Sequence, residues 1–481
     1  MNKTITLALL LVAPLLGGEW DAEAAFGLIL DPPVFTTTDN NVFLTYNSLT
    51  GEVLATWGDT TADPSNPPPT YAFYNGSSWS YNSSSNIPLT ISTTSAVASD
   101  LYTAFNPVSG EFLATWADRL NSNLPTYAIY NPNSGWSTPA SFYSNGAGGD
   151  ARVYCIYNPV SNSFFAAWED DSGGPNGEPF YAIYSNGSWN TPLPISTTVL
   201  VRNADVYLSC NPNTGEVLAA WRDTTNVANY AIYNGSSWSS AAVLASSPTV
   251  QENILSCFDV ISNRFMAVWA DFSGADNPYY SFYDPTSGWT VPLPISLTSG
   301  VDTNVAVSQD TATGAILATW LDVVSSNQSP TYSLYNGTSW TEAAFISDAA
   351  SSNSDDCFAC YDSSKGRFFA GWVDMNNGYP NYSIYSFSSN IAPLEPASFS
   401  GVQKTNGFGV VEERYNLLTW EKSSNVNSYN LFRNNVLIAV LDGSATVYED
   451  HDQPSKNQLY SLIAVNSFGN SSTALVIVGG Q

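Results

Sequence analysis

The sequence predicts an all-β protein, a seven-bladed β-propeller of four-stranded blades, followed by a separate carboxy-terminal β module. Three observations predict it. The tripeptide W-x-D recurs at Trp57, Trp116, Trp168, Trp221, Trp269, Trp320 and Trp372, with successive tryptophans 59, 52, 53, 48, 51 and 52 residues apart. Each copy is followed by Y-[AS]-[FIL]-Y, from Tyr71–Tyr74 in the first to Tyr382–Tyr385 in the seventh. Between these marks lie short β-forming runs separated by Gly, Pro, Asn and Ser clusters, which is how a repeat architecture reads in sequence.

The second copy shows the unit. Leu101–Asn106 reads as a first strand, Pro107-Val108-Ser109-Gly110 as a turn, Glu111–Asp118 as a second strand and Thr126–Asn131 as a third; Pro132–Gly135 turns into a fourth strand that begins at Trp136. The run Phe112-Leu113-Ala114-Thr115-Trp116 is apolar on both faces, so each sheet must be covered on both sides by neighbouring sheets. A ring of such sheets is a propeller, and seven copies fall within the usual ~4–8 blades. After Tyr385 the seventh copy has no glycine-and-tryptophan segment of its own, and residues near Leu28 to Phe35 are expected to supply its outer strand. The expected division is an export signal over 1–24, the propeller over 26–392 and the last module over 393–481.

Two resemblances extend this reading. Gly135-Trp136-Ser137-Thr138-Pro139, Gly187-Ser188-Trp189-Asn190-Thr191-Pro192 and Gly288-Trp289-Thr290-Val291-Pro292 resemble the bacterial neuraminidase repeat, or Asp-box, although only Asp284-Pro285-Thr286-Ser287-Gly288-Trp289 carries the aspartate that usually precedes the glycine. This resemblance implies a propeller blade more than an activity. Sialidases on such a scaffold use three arginines, a tyrosine with a glutamate partner and an acid aspartate, and no local motif here fixes those residues. Leu418-Thr419-Trp420-Glu421, Tyr429–Arg433 and Tyr460–Ser471 resemble strands B, C and F of a fibronectin type III domain. That resemblance implies a β-sandwich with Trp420 as the core indole and Tyr460 as a corner tyrosine bonded back to main chain. No Arg-Gly-Asp occurs, so integrin binding has no support.

Composition limits the function classes. Forty-one acidic against 13 basic side chains give a net charge of −28, which repels nucleic acid. One histidine, His451, excludes a multi-histidine metal site and a Ser/His/Asp triad in the propeller. The basic start at Lys3, the apolar run Thr6–Leu16 and the small-x-small pattern Ala22-Glu23-Ala24 read as a cleaved signal, so the expected protein is secreted, periplasmic or held at the cell surface, monomeric and without a transmembrane segment. Five scattered cysteines, Cys155, Cys210, Cys257, Cys357 and Cys360, read as buried thiols.

The expected site lies on the top face, where second strands end and inner strands begin. Asp59, Asp118, Asp170, Asp223, Asp271, Asp322 and Asp374 end second strands, while Asp100, Asp150, Asp205, Asp302 and Asp355 precede first strands. Four arginines map to the top of blades two to four: Arg119, Arg152, Arg202 and Arg222. With Asp118, Asp150, Asp170, Asp205 and Asp223 they form the candidate ligand-binding set, since guanidinium groups grip carboxylates and sulfates in pairs of hydrogen bonds. Two alternatives stay open: the repeated aspartates hold loops, and the arginines are spent in salt bridges. The same division runs through function. A non-catalytic recognition protein would bind a glycan or surface ligand there; a sialidase-like glycosidase would use Arg152, Arg202 and Arg222 on a substrate carboxylate, with Glu169 and Asp170 near the sugar. Regular repetition without a distinctive insertion favours recognition. No cofactor is expected, with calcium at the acidic mouth as a weaker alternative.

Overall fold

The computed structural model describes residues 18–21, 24–25, 41–60, 62–80, 89–143, 151–170, 177–201, 206–250, 253–271, 276–297, 305–324, 327–347, 354–374, 379–387, 393, 395–408, 411–423, 426, 428–466 and 469–479. The described chain divides into two compact units, one over Trp20–Ser386 and one that begins at Phe387. No helix among the described residues is long and apolar enough to cross a membrane.

The larger unit is all-β and propeller-like. Its described strands form seven antiparallel sheets, numbered here 1 to 7 in chain order of their first strands, and sheets 1 to 6 are meanders. Sheet 2 runs Val97–Phe105, Phe112–Asp118, Leu124–Asn131 and Gly135–Trp136. The first strands of successive sheets pack side by side, and that of sheet 7, Ser354–Asp362, packs against that of sheet 1, Phe43–Tyr46, so the order closes on itself. Second strands are buried along almost their whole length, and throughout at Phe112–Asp118 and Ser163–Asp170, as expected for sheets covered on both faces. All seven W-x-D tryptophans are at most 1% exposed. Toward the middle of the unit, Phe43, Tyr102, Tyr154, Tyr207 and Phe358 meet mainly edge to face, with centroids 4.8–6.3 Å apart.

Two repeated devices fix each sheet. At the end of each first strand an Asn or Asp (47, 106, 158, 211, 259, 310 and 362) accepts backbone N–H bonds with its side-chain oxygen and so caps the hairpin to the second strand. The turn then passes through a left-handed residue, as at Gly110 with φ +76°, and sheets 3 and 5 put Asn162 and Asn263 there, a side chain that tolerates this region. At the rim, the tryptophan of each outer strand wedges between two tyrosines. Trp136 lies 5.3 Å from Tyr130 of its own sheet and 5.6 Å from Tyr71 of the sheet before, and Trp79, Trp189, Trp238, Trp289 and Trp340 repeat the arrangement at 5.2–5.5 Å. The two tyrosines of Y-x-x-Y therefore serve different tryptophans: the fourth residue holds its own outer strand and the first receives the wedge of the next sheet.

Sheet 7 obtains its outer strand from the amino-terminal end: Gly18–Trp20 and Ala24–Ala25 both pair with Tyr379–Phe387. Residues 28–35, expected to fill this place, lie outside the described residues.

The carboxy-terminal unit has two antiparallel sheets around a core of Leu418, Trp420, Tyr429, Leu431, Tyr460 and Leu462. Trp420 is 4% exposed and packs 5.6 Å from Tyr429, as a core indole should. The bonds of Tyr460 differ from expectation, since its hydroxyl donates to Asp450 Oδ2 at 2.6 Å and accepts from Asn416 Nδ2 at 2.8 Å. The reason is the buried Asp450 carboxylate, which needs partners and takes Tyr460 and the Arg433 guanidinium, 2.8 Å away. His451 is half exposed and stacks on Tyr415 at 5.5 Å.

Candidate functional site

On the face predicted to bind, Asp59, Asp118 and Asp223 hold loops. Asp118 Oδ1 accepts N–H bonds from Ala96 at 2.9 Å and Leu120 at 3.2 Å and caps the short 3-10 turn Arg119–Asn121. Asp223 accepts from Thr225 N, Thr225 Oγ1, Val227 N and Asn229 Nδ2 at 2.7–3.0 Å. Burial pushes its carboxyl up, but those donors outweigh it and hold it below the ordinary range. Asp59 accepts from Ala62 N at 3.0 Å, and Asp170 from the Tyr143 hydroxyl at 2.7 Å. Asp322 differs: it is 6% exposed, its Oδ1 meets no hydrogen-bond donor, and burial raises its pKa.

The arginines are engaged one by one. Arg119 donates to the carbonyls of Ser65 and Ala98, both at 3.0 Å, beside an open hollow of about 710 Å³. Arg152 sits at a β-bulge with φ +37° and places Nε 2.8 Å from Asp100 Oδ2, while Asn41 Nδ2 holds the other Asp100 oxygen at 2.7 Å. That chain braces sheets 1, 2 and 3, because Asp100 is 3% exposed and needs the charge. Arg222 ends the second strand of sheet 4 opposite Ala228. Arg202, Asp150 and Asp205 lie outside the described residues. Glu169, the other acid considered for glycosidase chemistry, is 2% exposed and accepts from Gly177 N at 3.0 Å, a loop-holding role as well.

Clefts with mixed chemistry open instead between sheets, at the hairpin end. One of about 680 Å³ lies between sheets 4 and 5. Its walls include Tyr230 and Tyr283, with ring centroids 5.6 Å apart, the buried Phe258 and Phe265, and Glu216. Glu216 leads the second strand of sheet 4 behind the left-handed Gly215, and Thr214 Oγ1 fixes its carboxylate by donating to Oε2 at 3.0 Å. The Tyr283 hydroxyl is raised by burial, then by Tyr230, and then by the negative charge of Glu216. The same relation recurs across two more sheet boundaries. Glu52 of sheet 1 and Glu111 of sheet 2 raise Tyr130 and Tyr184 of the following sheets, after burial and, for Tyr184, Tyr127. Each of these glutamates is held by a hydroxyl two residues earlier, Thr50 at 2.8 Å and Ser109 at 3.0 Å.

Elsewhere the equivalent position changes charge. Sheet 5 places Arg264 there, on the wall of the same cleft as Glu216 and 4.3 Å over Phe282, and sheet 7 places Arg367, 2.9 Å from Asp362 and 4.9 Å over Phe369. A second cleft of about 450 Å³ between sheets 3 and 4 has Ser163 at this position. The sequence signal for the carboxylates was present as [ST]-G-E at Thr50-Gly51-Glu52, Ser109-Gly110-Glu111 and Thr214-Gly215-Glu216. Among the described residues no three metal-ligating side chains converge. The cleft between sheets 4 and 5 therefore offers aromatic surface beside an oriented acceptor.

No protein-family model and no curated protein matches the chain. Solved structures do. The BP39L lectin from Burkholderia pseudomallei superposes with a TM-score of 0.59 at 13% identity, over 74% of this chain and 97% of the lectin. The chain shares the propeller-like, all-β fold of that protein. The fungal lectin of Aleuria aurantia, a six-bladed β-propeller, follows with a TM-score of 0.44 at 14% identity over 66% and 99% of the two chains. A leech intramolecular trans-sialidase is also similar, with a TM-score of 0.43 at 10% identity over 76% and 71%.

Proposed function

We propose that this chain is an exported, non-catalytic recognition protein: a seven-bladed propeller that binds neutral carbohydrate in its inter-sheet clefts, carried beside a fibronectin type III-like module that spaces or adheres. The observation that carries the reading is the Glu216 carboxylate, oriented by Thr214 at 3.0 Å and set beside Tyr230 and Tyr283. An ionised carboxylate accepts hydrogen bonds from paired sugar hydroxyls, and tyrosine rings cover the apolar C–H face of a pyranose. The carboxylate repels acidic sugars at its own end of the cleft, Arg264 on the same wall offers N–H donors to sugar hydroxyls, and Glu52 and Glu111 repeat the negative charge near Tyr130 and Tyr184 of the following sheets. Repetition of such a site at further sheet boundaries would add avidity on a surface that displays many copies of the ligand.

The fold of the Burkholderia lectin is consistent with this use, and the engagement of Arg152 by Asp100 argues against a grip on a substrate carboxylate. A glycan array with neutral and sialylated members tests it. Binding to neutral glycans is expected, with Glu216→Gln weakening it by roughly 10-fold or more, as loss of a charge-assisted hydrogen bond of about 1.5–3 kcal/mol implies. Binding confined to acidic glycans, or lost on Arg119→Ala while Glu216→Gln has no effect, would return the site to the arginine-bearing face. Turnover of a fluorogenic sialoside would overturn the non-catalytic reading.

A further inference from the structure

The segment that closes sheet 7 is also the segment expected to be cut away. Trp20 lies 5.3 Å from Tyr385 of sheet 7 and 5.3 Å from Tyr332 of sheet 6, which are the own-sheet and preceding-sheet partners every other outer tryptophan has. The next residue repeats the backbone rule too: Asp21 N donates to Ile384 O at 2.9 Å, as Ser137 N does to Ile129 O at 2.8 Å. Ser383 Oγ donates to the Asp21 carbonyl at 2.6 Å, matching Ser281 to Thr290 in sheet 5 at 2.7 Å. Ala24 and Ala25 then pair with Tyr382 and Asn381. Gly18-Glu19-Trp20-Asp21 is thus the seventh copy of the outer-strand motif, separated from its sheet by nearly the whole repeat array. Hydrolysis after Ala24, at the small-x-small site, would remove the tryptophan and leave Tyr332 and Tyr385 without their wedge.

We propose that the working protein retains Gly18–Ala25, and that any leader peptidase hydrolyses the chain on the amino-terminal side of Gly18 rather than after Ala24. The edge of sheet 7 between Tyr332 and Tyr385 is then a receptor for one specific strand. A strand held by main-chain bonds and one aromatic anchor can also be supplied in trans, which is the logic of donor-strand complementation.

The test begins with the amino-terminal sequence and intact mass of the protein recovered after expression of the full chain with its leader. A start at or before Gly18 is expected; a start at Ala25 with an unchanged melt overturns the proposal. In the full chain, Trp20→Ala should lower the melting temperature by roughly 4–10 °C, comparably to Trp136→Ala. An unchanged Trp20→Ala melt beside a destabilised Trp136→Ala also overturns it. A chain beginning at Phe26 should melt lower and regain stability with a synthetic peptide of residues 17–25, in proportion to peptide concentration. The same peptide carrying Trp20→Ala should not rescue; equal rescue by both would show that the indole is not the anchor and defeat the proposal.

Discussion

The wedge at the rim predicts a measurable coupling between neighbouring sheets. Trp136 is half-buried between Tyr130 and Tyr71 at 5.3 and 5.6 Å. A fully covered indole removes on the order of 200 Å² from water, which at ~25 cal/mol per Å² is about 5 kcal/mol. Partial exposure reduces this, so Trp136→Ala should cost about 2–4 kcal/mol in chemical denaturation of the full chain. Part of that cost belongs to the contact with Tyr71, which lies at 67° to the indole and is an edge-to-face pair worth ~0.5–1.5 kcal/mol. A double-mutant cycle of Trp136→Ala and Tyr71→Ala should return that coupling. The pair Trp340→Ala with Tyr71→Ala, which share no contact, should add within about 0.5 kcal/mol. Additivity of the contacting pair would refute the claim that the tryptophan links adjacent sheets, and would leave it as local cover for its own outer strand.

Three further outcomes follow from individual groups. Burial raises the Asp322 pKa from its ordinary 3.8, so its contribution to stability is full below that value and is lost as pH rises through the folded value; Asp322→Asn should therefore raise the melting temperature at pH 7 and lose that advantage toward pH 3.8, and an unchanged or lower melt at pH 7 would contradict it. The Cys155 and Cys210 thiols are pushed by burial up to about 12, so at pH 8 both should react with a thiol reagent roughly 10³-fold more slowly in the native protein than after unfolding, as counted by mass. Removing the cap at Asp118, which holds two backbone N–H groups, should cost about 1–2 kcal/mol as Asp118→Ala and much less as Asp118→Asn, which keeps an acceptor; equal losses would mean that charge, not hydrogen bonding, is what matters there.

The repeat was legible because its marks are packing residues. A tryptophan at a fixed place in a doubly covered strand has one job in every copy, and all seven indeed sit at 0–1% exposure. The turn after the first strand was legible for a similar reason, since an Asx oxygen and a left-handed residue leave a compositional trace. The outer strand of sheet 7 was not, because Gly18-Glu19-Trp20 stands against an apolar run that reads as a leader, and pairing across more than 350 residues leaves no local signal. The clefts were missed for a different reason. Carboxylates at strand ends drew attention to the top face, yet Asp118 and Asp223 satisfy backbone donors there, while Glu52, Glu111 and Glu216, one per hairpin and unremarkable in composition, face tyrosines of another sheet. Whether a carboxylate meets its own loop or a neighbour's ring depends on strand register and sheet packing, which sequence spacing alone does not specify.

The packing of the middle bears on where a ligand can bind. Phe43, Tyr102, Tyr154, Tyr207 and Phe358 come from five sheets and touch one another, with the Tyr102 and Tyr207 hydroxyls 3.1 Å apart. A site at that level would have to displace these rings, at a cost of several kcal/mol for each buried aromatic uncovered. The cleft between sheets 4 and 5 involves no such cost, because half-buried Tyr230 and Tyr283 already line its wall. Repetition then favours the periphery a second time: a central pocket exists once, whereas a boundary between sheets recurs and can be tuned separately. Glutamate at three boundaries, arginine at two and serine at another show that such divergence has occurred at one position of the repeat. Charge exchange at Glu216, written Glu216→Arg, should therefore shift the preference of one cleft toward acidic sugars without loss of fold, because Arg264 and Arg367 already occupy the equivalent place in sheets 5 and 7; a collapse of the melt would mean that the carboxylate holds the hairpin and that its placement beside the tyrosines is incidental.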